Sequence, residues 1–378
     1  MVASPLKLWL ILLSLAFVAF LQVQASGAHM TVYAMAVGQG DGNIILCPNG
    51  RDVLIVDMGA VHPIFITRNY GTYLLKQKFD VVSQNKNIHI VVSHPHNDHY
   101  NQLNTVIDSE LLPRVSEIVL GGSLGDYSNK YFQRWLSENS LPVYTINNGS
   151  KCFGNDQCLW TKAEFTDTVS SGRLKRFTSV GHPWQFCGSD VSITALGANI
   201  GTTSNLNTMS VILKLVYNKW SLLLSGDFEG TKQQRELVDR WSTALQSTYY
   251  KVAHHGAWIN ENQANMPELL AQIRPKRVYV SHGYPSLSDY HHPNCETLHH
   301  LLDVGTIDKV GSGVTTPIVC WNDTTSAVSV YRSGPGYAIY ETCRMESNDK
   351  QMCKDIMIET DGLDDQTHFV DVPSEYIR

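Results

Sequence analysis

A histidine-rich segment follows directly on the apolar run Asn87–Val92: Ser-His-Pro-His-Asn-Asp-His occupies positions 93–99. Four potential metal ligands therefore fall within six positions, namely His94, His96, Asp98 and His99. A buried strand that ends in such a cluster carries imidazoles and a carboxylate to the end of a sheet, where the ligand sites of open α/β sheets lie. Neutral imidazole suits Zn²⁺, and the carboxylate allows a second metal. The segment predicts a metal centre at a strand end; the alternative is a histidine-rich surface loop.

Short apolar runs recur along the chain and predict strands at residues 31–37, 43–46, 53–56, 88–92, 117–120, 191–196, 210–216, 221–224 and 277–280. Apolar residues at three- and four-residue spacing predict helices at 129–137, 232–245 and 267–273. The alternation indicates a layered α/β domain. Runs such as Ile-His-Ile-Val-Val at 88–92 are expected to be buried on both faces, as where helices cover both sides of a sheet.

The N-terminus has the pattern of a secretory signal. Lys7 precedes an uncharged apolar run at residues 8–21, and small residues allow cleavage after Ala25 or Ala28. The run is short for a membrane span, which leaves an uncleaved anchor helix as the alternative. We therefore expect a signal peptide at 1–28, a domain at 29–335 and a peripheral acidic tail at 336–378.

Eight cysteines follow the leader, and an even number in a secreted chain favours disulfides. Short separations suggest Cys152 with Cys158 and Cys343 with Cys353, although connectivity cannot be read from the sequence. Asn148 and Asn322 begin glycosylation sequons. These features predict an extracellular glycoprotein.

The charge balance bounds the possible partners. There are 29 Lys+Arg against 35 Asp+Glu, for a formal net charge of -6. No global positive field attracts nucleic acid or an anionic membrane, so any polyanion must be bound locally. No protein partner is predicted.

A series of motifs resembles the metallo-β-lactamase superfamily, and within it the soluble hydrolase-like domain of bacterial ComEC-type DNA-uptake proteins. The motifs are Val-Gly-Gln-Gly-Asp at 37–41, Leu-Ile-Val-Asp-Met-Gly at 54–59, the histidine segment, Asn-Thr-Met-Ser at 207–210, Leu-Ser-Gly-Asp at 224–227, Lys-Val-Ala-His-His-Gly at 251–256, Val-Ser-His-Gly at 280–283 and His-Pro at 292–293. The resemblance implies a four-layer αββα sandwich with one or two zinc ions, manganese being possible.

The resemblance also assigns further site residues. Asp227, at the tip of an apolar run, corresponds to the acid that bridges two metals, and one of His254 and His255 completes the second metal's ligands. Adjacent strand residues point oppositely, so we expect only one of these two histidines to face the site. Asn207 stands where lactamases supply a third histidine to the first metal, and His182 is a possible replacement.

Three other residues are expected around the ligands. Asp57 resembles the acid that orients the histidine segment. Asp41 is placed near the metals or on the substrate path, with a simple hairpin turn as the alternative. His292 is expected to contact substrate or protonate a leaving group.

A centre of this kind favours hydrolysis by metal-bound hydroxide, with Asp98 as a plausible proton acceptor. The ComEC-type resemblance implies phosphodiesters, such as a short single-stranded nucleic acid or a small phosphoester, rather than β-lactams. The alternatives are a lactonase or other carboxylic-ester hydrolase, a phosphocholine esterase, and a metal-stabilised binding module with little turnover. Asn207 in place of a histidine favours the last of these.

Overall fold

The computed structural model describes residues 28–61, 67–122, 124–139, 141, 143–147, 174–181, 183–200, 205–258, 263–284, 290–309, 318–331, 337–345 and 351–376. The leader, the Cys152–Cys158 pairing, the sequon at Asn148 and the proposed ligand His182 lie outside these residues.

Twenty strands are found in the described part of the chain. They are β1 Met30–Ala34, β2 Gly42–Leu46, β3 Asp52–Met58, β4 Asn87–Val92, β5 Val115–Leu120, β6 Val143–Asn147, β7 Leu174–Ser179, β8 Pro183–Trp184, β9 Val191–Gly197, β10 Ile212–Tyr217, β11 Trp220–Leu224, β12 Tyr249–Lys251, β13 Arg277–Val280, β14 Ile318–Asn322, β15 Ala327–Tyr331, β16 Ile339–Glu341, β17 Cys343–Met345, β18 Gln351–Cys353, β19 Asp355–Thr360 and β20 Asp365–Val370.

The α-helices of the described residues are short. They are α1 Thr67–Tyr73, α2 Asn97–Tyr100, α3 Leu103–Val106, α4 Lys130–Glu138, α5 Thr231–Trp241, α6 Pro267–Ile273 and α7 Cys295–Asp303. The side chain of Asn129 accepts hydrogen bonds from the amides of Tyr131 and Phe132 and so caps α4, and Asn294 caps α7 in the same way. Within the described residues, no helix is both long enough and apolar enough to cross a membrane.

Two large sheets form the centre of the fold. The first has the order β20-β19-β1-β2-β3-β4-β5-β6-β7, and the second has the order β16-β13-β12-β11-β10-β9-β8. Strands β3 to β7 run parallel to one another, as do β11, β12, β13 and β16. Parallel strands place their carboxyl ends at one edge of a sheet, which is where side chains of a site can be gathered.

Three hydrophobic cores lie between four layers. In β3, Val53 and Ile55 pack against the first group of helices, α1, α3 and α4, while Leu54 and Val56 face the second sheet. In β11, Leu222 and Leu224 face the first sheet, and Leu223 packs against α5, α6 and α7. Because successive side chains of a strand point to opposite faces, both sheets are buried on both sides. The fold is the predicted four-layer αββα metallo-β-lactamase-like sandwich.

The C-terminal residues differ from the expected peripheral tail. Strand β19 pairs with β1 and extends the first sheet, and β16 pairs with β13 in the second. The buried carboxyl of Asp355 accepts hydrogen bonds from the amide of Ala36 (2.8 Å) and the hydroxyl of Tyr70 (2.7 Å). The segment is part of the sandwich because its strands satisfy hydrogen bonds that β1 and β13 would otherwise leave open.

Three disulfides join the six described cysteines, Cys47–Cys187, Cys295–Cys320 and Cys343–Cys353. The pairing of Cys343 with Cys353 confirms the prediction made from their short separation. The other two pairs join residues 140 and 25 positions apart and were not predicted.

Candidate metal centre

The polar segments that follow four strands meet at one edge of the sandwich. The histidine segment follows β4, Asp227 follows β11, the His254-His255 pair follows β12, and His282 follows β13. Residues from the two sheets are in contact here, since His99 Nε2 lies 3.1 Å from Asp227 Oδ2. The structure therefore gathers the predicted ligands at a single place.

Asp57 is bonded to the histidine segment at two points. Its Oδ1 accepts a hydrogen bond from the amide of Ser93 (2.6 Å), and its Oδ2 lies 2.9 Å from His99 Nδ1. This second contact leaves Nε2 of His99 directed at Asp227. A carboxylate behind a ligating imidazole fixes the orientation of the ring and increases its basicity.

Gly59 allows the histidine segment to lie directly against the end of β3. A Cβ atom at this position would be 2.5–2.6 Å from backbone atoms of Asp98, His99 and Tyr100. The turn that contains Asp41 is joined to the same segment, because the amide of Asp41 donates a hydrogen bond to the carbonyl of Asp98 (3.0 Å).

Asp227 is the central carboxylate. Its Oδ2 lies 3.1 Å from His99 Nε2, 3.3 Å from His255 Nε2, 3.8 Å from His254 Nε2 and 3.9 Å from His94 Nε2. Four imidazole nitrogens therefore surround one buried oxygen atom. This is the arrangement expected of an acid shared by two metal ions.

Two groups of donors can be distinguished around Asp227. Asp98 Oδ2 lies 3.4 Å from His255 Nε2 and 4.0 Å from His99 Nε2, which groups these three residues. His94 Nε2 and His96 Nδ1 are 3.0 Å apart and form the start of the other group.

The His254-His255 pair differs from the prediction. We expected strand geometry with one ring turned away, and this expectation is wrong because β12 ends at Lys251. Both histidines have left-handed backbone conformations, with φ of 50° and 52°. Consecutive left-handed residues turn the chain tightly, so both rings face Asp227.

Asp41 lies in the connection between the antiparallel strands β1 and β2, and its side chain lies behind the ligands. Its Oδ2 forms an ion pair with Lys251 Nζ and is 3.6 Å from His99 Nδ1. Lys251 is fully buried, lies 3.7 Å from Asp227 Oδ1 and donates to the carbonyl of Gly226 (3.0 Å). The donors of Asp41, His99, Asp227 and His255 lie within 4.8 Å of one another. Asp41 is paired with Lys251, whereas the carboxylate of Asp98, 3.4 Å from His255 Nε2, has no lysine beside it among the ion pairs of the described residues.

The donor set fits a metal on two grounds. It consists of imidazoles and carboxylates, the donors that Zn²⁺ and related ions prefer. His99 Nε2 and His255 Nε2, which both lie within 3.3 Å of Asp227 Oδ2, are buried without a well-aligned hydrogen bond. Buried polar atoms of native proteins are normally satisfied, so unpaired atoms aimed at one point indicate a missing partner.

The charges of the site lead to the same conclusion. Burial lowers the pKa of His99 and His255, but the carboxylates of Asp227 and its neighbours outweigh this effect and raise both, to about 10 for His255. Burial raises the pKa of Asp98, but His99 and His255 lower it to about 2. In the metal-free protein, protons on the imidazoles offset the buried carboxylates, and a cation can replace them.

The centre opens on a cavity of about 650 Å³. Its described lining is Gln39, Val61, His96, Asn97, Asp98, Asn207, Asp227, His254, His255, Trp258, Tyr290, His291, His292, Asn294 and Asp323. His292 and Asn207, both predicted site residues, thus face the same space as the ligands. Burial and the neighbouring imidazoles hold the pKa of His292 well below its ordinary value.

Sequence reasoning missed three contributors. Lys251 ends an otherwise apolar run, Tyr-Tyr-Lys-Val-Ala at 249–253, and a charge in such a run was the available signal. Glu229, only two residues after Asp227, lies 2.7 Å from His254 Nδ1. Trp258 lines the cavity and carries no sequence signal of that role.

No protein-family model matches the chain, and no curated protein sequence is significantly similar to it. Similar solved structures include CmlA, a diiron β-hydroxylase from Streptomyces venezuelae (TM-score 0.38, 11% identity, covering 73% of this chain and 51% of CmlA). They also include the metallo-β-lactamase fold protein YhfI from Bacillus subtilis (TM-score 0.38, 10% identity, covering 74% of this chain and 93% of YhfI). A third is a diphosphatase of the PhnP family (TM-score 0.32, 10% identity, covering 67% of this chain and 86% of the diphosphatase).

The chain spans about half the length of CmlA. The layers and the strand order of the chain itself define a metallo-β-lactamase-like sandwich. The resemblance to ComEC-type domains stays a prediction.

Proposed function

We propose that this protein is a secreted metal-dependent hydrolase that cleaves small phosphodiesters. The observation that carries the proposal is the convergence of His94, His96, Asp98, His99 and the His254-His255 pair on Asp227, at the edge of a cavity. A stabilising site would be closed, whereas a catalytic one keeps a position for water and substrate.

Metal ions held by these residues would supply Lewis acidity and a nucleophile at neutral pH. The protein's own groups set the rest of the site. Asp57 and Lys251 lie against His99 and Asp227 and hold them in position, and Asp98, which lines the cavity, is the proposed proton acceptor. His292 lies with its ring centroid 5.4 Å from that of His254 and is placed to contact a bound substrate.

The cavity favours a substrate with little negative charge. Among its described lining residues there is no lysine or arginine, and Asp323 and Asn294 bond to each other at its rim (2.6 Å). One phosphodiester can be neutralised by the metal centre, but a further phosphate would meet the carboxylate of Asp323 and no lysine or arginine among the described lining residues. A short substrate is therefore favoured over a long nucleic acid.

A phosphocholine ester is the second candidate substrate. The cavity combines the ring of Trp258 with the carboxylate of Asp323. Aromatic faces together with a carboxylate suit a quaternary ammonium group, and a lysine-free wall does not repel it.

Secretion is supported by the three disulfides, which persist in oxidising compartments. Intact-mass measurement of protein from a secretory host should give a start at Ser26 or His29. A retained leader would contradict this part of the proposal.

The test compares hydrolysis of bis(p-nitrophenyl) phosphate, p-nitrophenyl phosphorylcholine, a single-stranded oligonucleotide, a lactone and a chromogenic β-lactam, with Zn²⁺ and with Mn²⁺. We expect the phosphodiesters to be cleaved fastest, and Asp227→Ala and His99→Ala each to lower the rate roughly 10²-fold or more, since losing even a residue behind a ligand costs 10–100-fold. His368→Ala, on the half-exposed strand β20, is the control and should retain the wild-type rate.

Cleavage of the lactam or the lactone alone would overturn the substrate assignment. A metal-loaded protein that cleaves none of the five would support the binding-module alternative instead.

A further inference from the structure

The two adjacent histidines after β12 differ in what holds them. His255 Nδ1 lies 2.8 Å from the carbonyl of Ser281, to which it donates, and His254 Nδ1 lies 2.7 Å from Glu229 Oε2. In each ring Nδ1 thereby faces an acceptor, which leaves Nε2 as the nitrogen that can bind a metal. Both Nε2 atoms lie within 3.8 Å of Asp227 Oδ2.

His255 belongs with Asp98 and His99. Its Nε2 lies 3.4 Å from Asp98 Oδ2 and 3.3 Å from Asp227 Oδ2. Both spacings are shorter than twice a metal–ligand distance of about 2.0–2.2 Å, so a single ion can contact all of these atoms.

His254 lies farther from Asp227 than His255 does, at about the same distance as His94. Its Nε2 is 3.8 Å from Asp227 Oδ2, and His94 Nε2 is 3.9 Å from that same oxygen. His96 and His254 also line the same cavity.

Glu229 orients the ring of His254 through the contact with Nδ1. It is buried, and its second oxygen accepts a hydrogen bond from Asn205 Nδ2 (2.9 Å). A metal-binding histidine usually has a carboxylate hydrogen-bonded to the ring nitrogen that does not face the metal, and this bond fixes the orientation of the ring.

The group formed by His94 and His96 lacks a nitrogen donor at position 207. Asn207 offers an amide there, and its Oδ1 is buried without a hydrogen bond. A neutral amide oxygen is a weaker donor to Zn²⁺ than an imidazole nitrogen.

We propose that His254, oriented by Glu229, is the third nitrogen ligand of the ion bound by His94 and His96, while Asp98, His99 and His255 bind a second ion and Asp227 contacts both. Two consecutive left-handed residues thus serve two different metals. The inference rests on the proposed function only in requiring that the site bind metal, and it is independent of the substrate.

The test measures Zn²⁺ stoichiometry and affinity of the chelator-treated full-length protein by competition with a chromogenic chelator. The wild type should bind two ions per chain. His254→Ala should lower the affinity for one ion by about 10- to 100-fold, and His255→Ala should lower the affinity for the other by a similar factor. Glu229→Gln should lower the affinity only for the ion whose binding His254→Ala weakens. The neighbouring cavity histidine provides the matched control, since His291→Ala should change neither affinity.

Double substitutions show which residues share an ion. His94→Ala with His254→Ala should still leave one tightly bound ion, whereas His94→Ala with His255→Ala should leave none. Unchanged affinities in His254→Ala would overturn the inference, as would retention of one tight ion in the His254→Ala/His255→Ala variant. Circular dichroism of each metal-free variant separates these results from misfolding. A wild type that binds no metal would refute the proposed function as well.

Discussion

Lys251 is a fully buried ammonium beside the proposed ligands. Burial lowers its pKa, but the carboxylates of Asp41 and Asp227 outweigh this and raise it, so the residue is charged. It neutralises Asp41 and leaves Asp98 and Asp227 as the carboxylates available to metal ions. At the scale of single residues, the ion pair of Lys251 with Asp41 leaves the other neighbouring carboxylates for the proposed metal ions.

Lys251→Met should lower the free energy of unfolding by about 3–5 kcal/mol, because Asp41 would remain buried without its partner. Urea unfolding of the metal-free protein measures the effect. In Asp41→Asn/Lys251→Met the unpaired charge is also removed, and much of the loss should be recovered. A double variant as unstable as the sum of the two single variants would contradict this account.

At the scale of elements, the close approach of the histidine segment to β3 positions the site. Gly59 is the point of contact, and the atoms that a larger residue would meet belong to the backbone of residues 98–100. Backbone atoms cannot move aside as the end of a flexible side chain can, so the separation of the two elements depends on this glycine.

Gly59→Ala should displace the histidine segment from Asp57, weaken Zn²⁺ binding and lower the free energy of unfolding by about 1–3 kcal/mol, the usual cost of overpacking. Chelator competition and urea unfolding provide the two measurements. Gly50→Ala is the control, because a Cβ there meets nothing within 4 Å, although its φ of 69° adds left-handed strain. Equal Zn²⁺ affinities in the two variants would show that the contact does not position the ligands.

At the scale of the whole molecule, one disulfide ties the two sheets together. Cys47 follows β2 at the end distant from Asp41, and Cys187 precedes β9 of the other sheet. Both cysteines pack in the core between the sheets. The bond therefore closes the sandwich at the edge opposite the metal centre.

Cys47→Ala/Cys187→Ala should lower the free energy of unfolding by about 2–5 kcal/mol without changing Zn²⁺ affinity. The Cys343–Cys353 pair closes a separation of 10 residues rather than 140. In the loop-entropy account, removing it should therefore cost about 2 kcal/mol less. Urea unfolding of both double variants tests the difference. Equal losses would argue against an unfolded-state entropy effect, and weakened Zn²⁺ binding would show that the metal site depends on this distant bond.

The local parts of this structure could be read from the sequence. Strand β4 with the histidine segment at its end, Asp57 at the end of β3 and Asp227 at the end of β11 all lie where periodicity and residue type placed them. Helix α6 has the predicted bounds, Pro267–Ile273. These features depend on neighbours within one turn or one strand, and the order of residues specifies such neighbours directly.

Only the tertiary structure decided the remainder. It turned both His254 and His255 toward Asp227, paired Lys251 with Asp41, and placed β19 beside β1 although more than 300 residues separate them. It also joined Cys47 to Cys187. Each of these results is a pairing between distant segments or a backbone conformation imposed by packing. Local propensity cannot choose among the many partners open to a strand edge, a buried charge or a cysteine, because the choice is made by the free energy of the assembled sandwich.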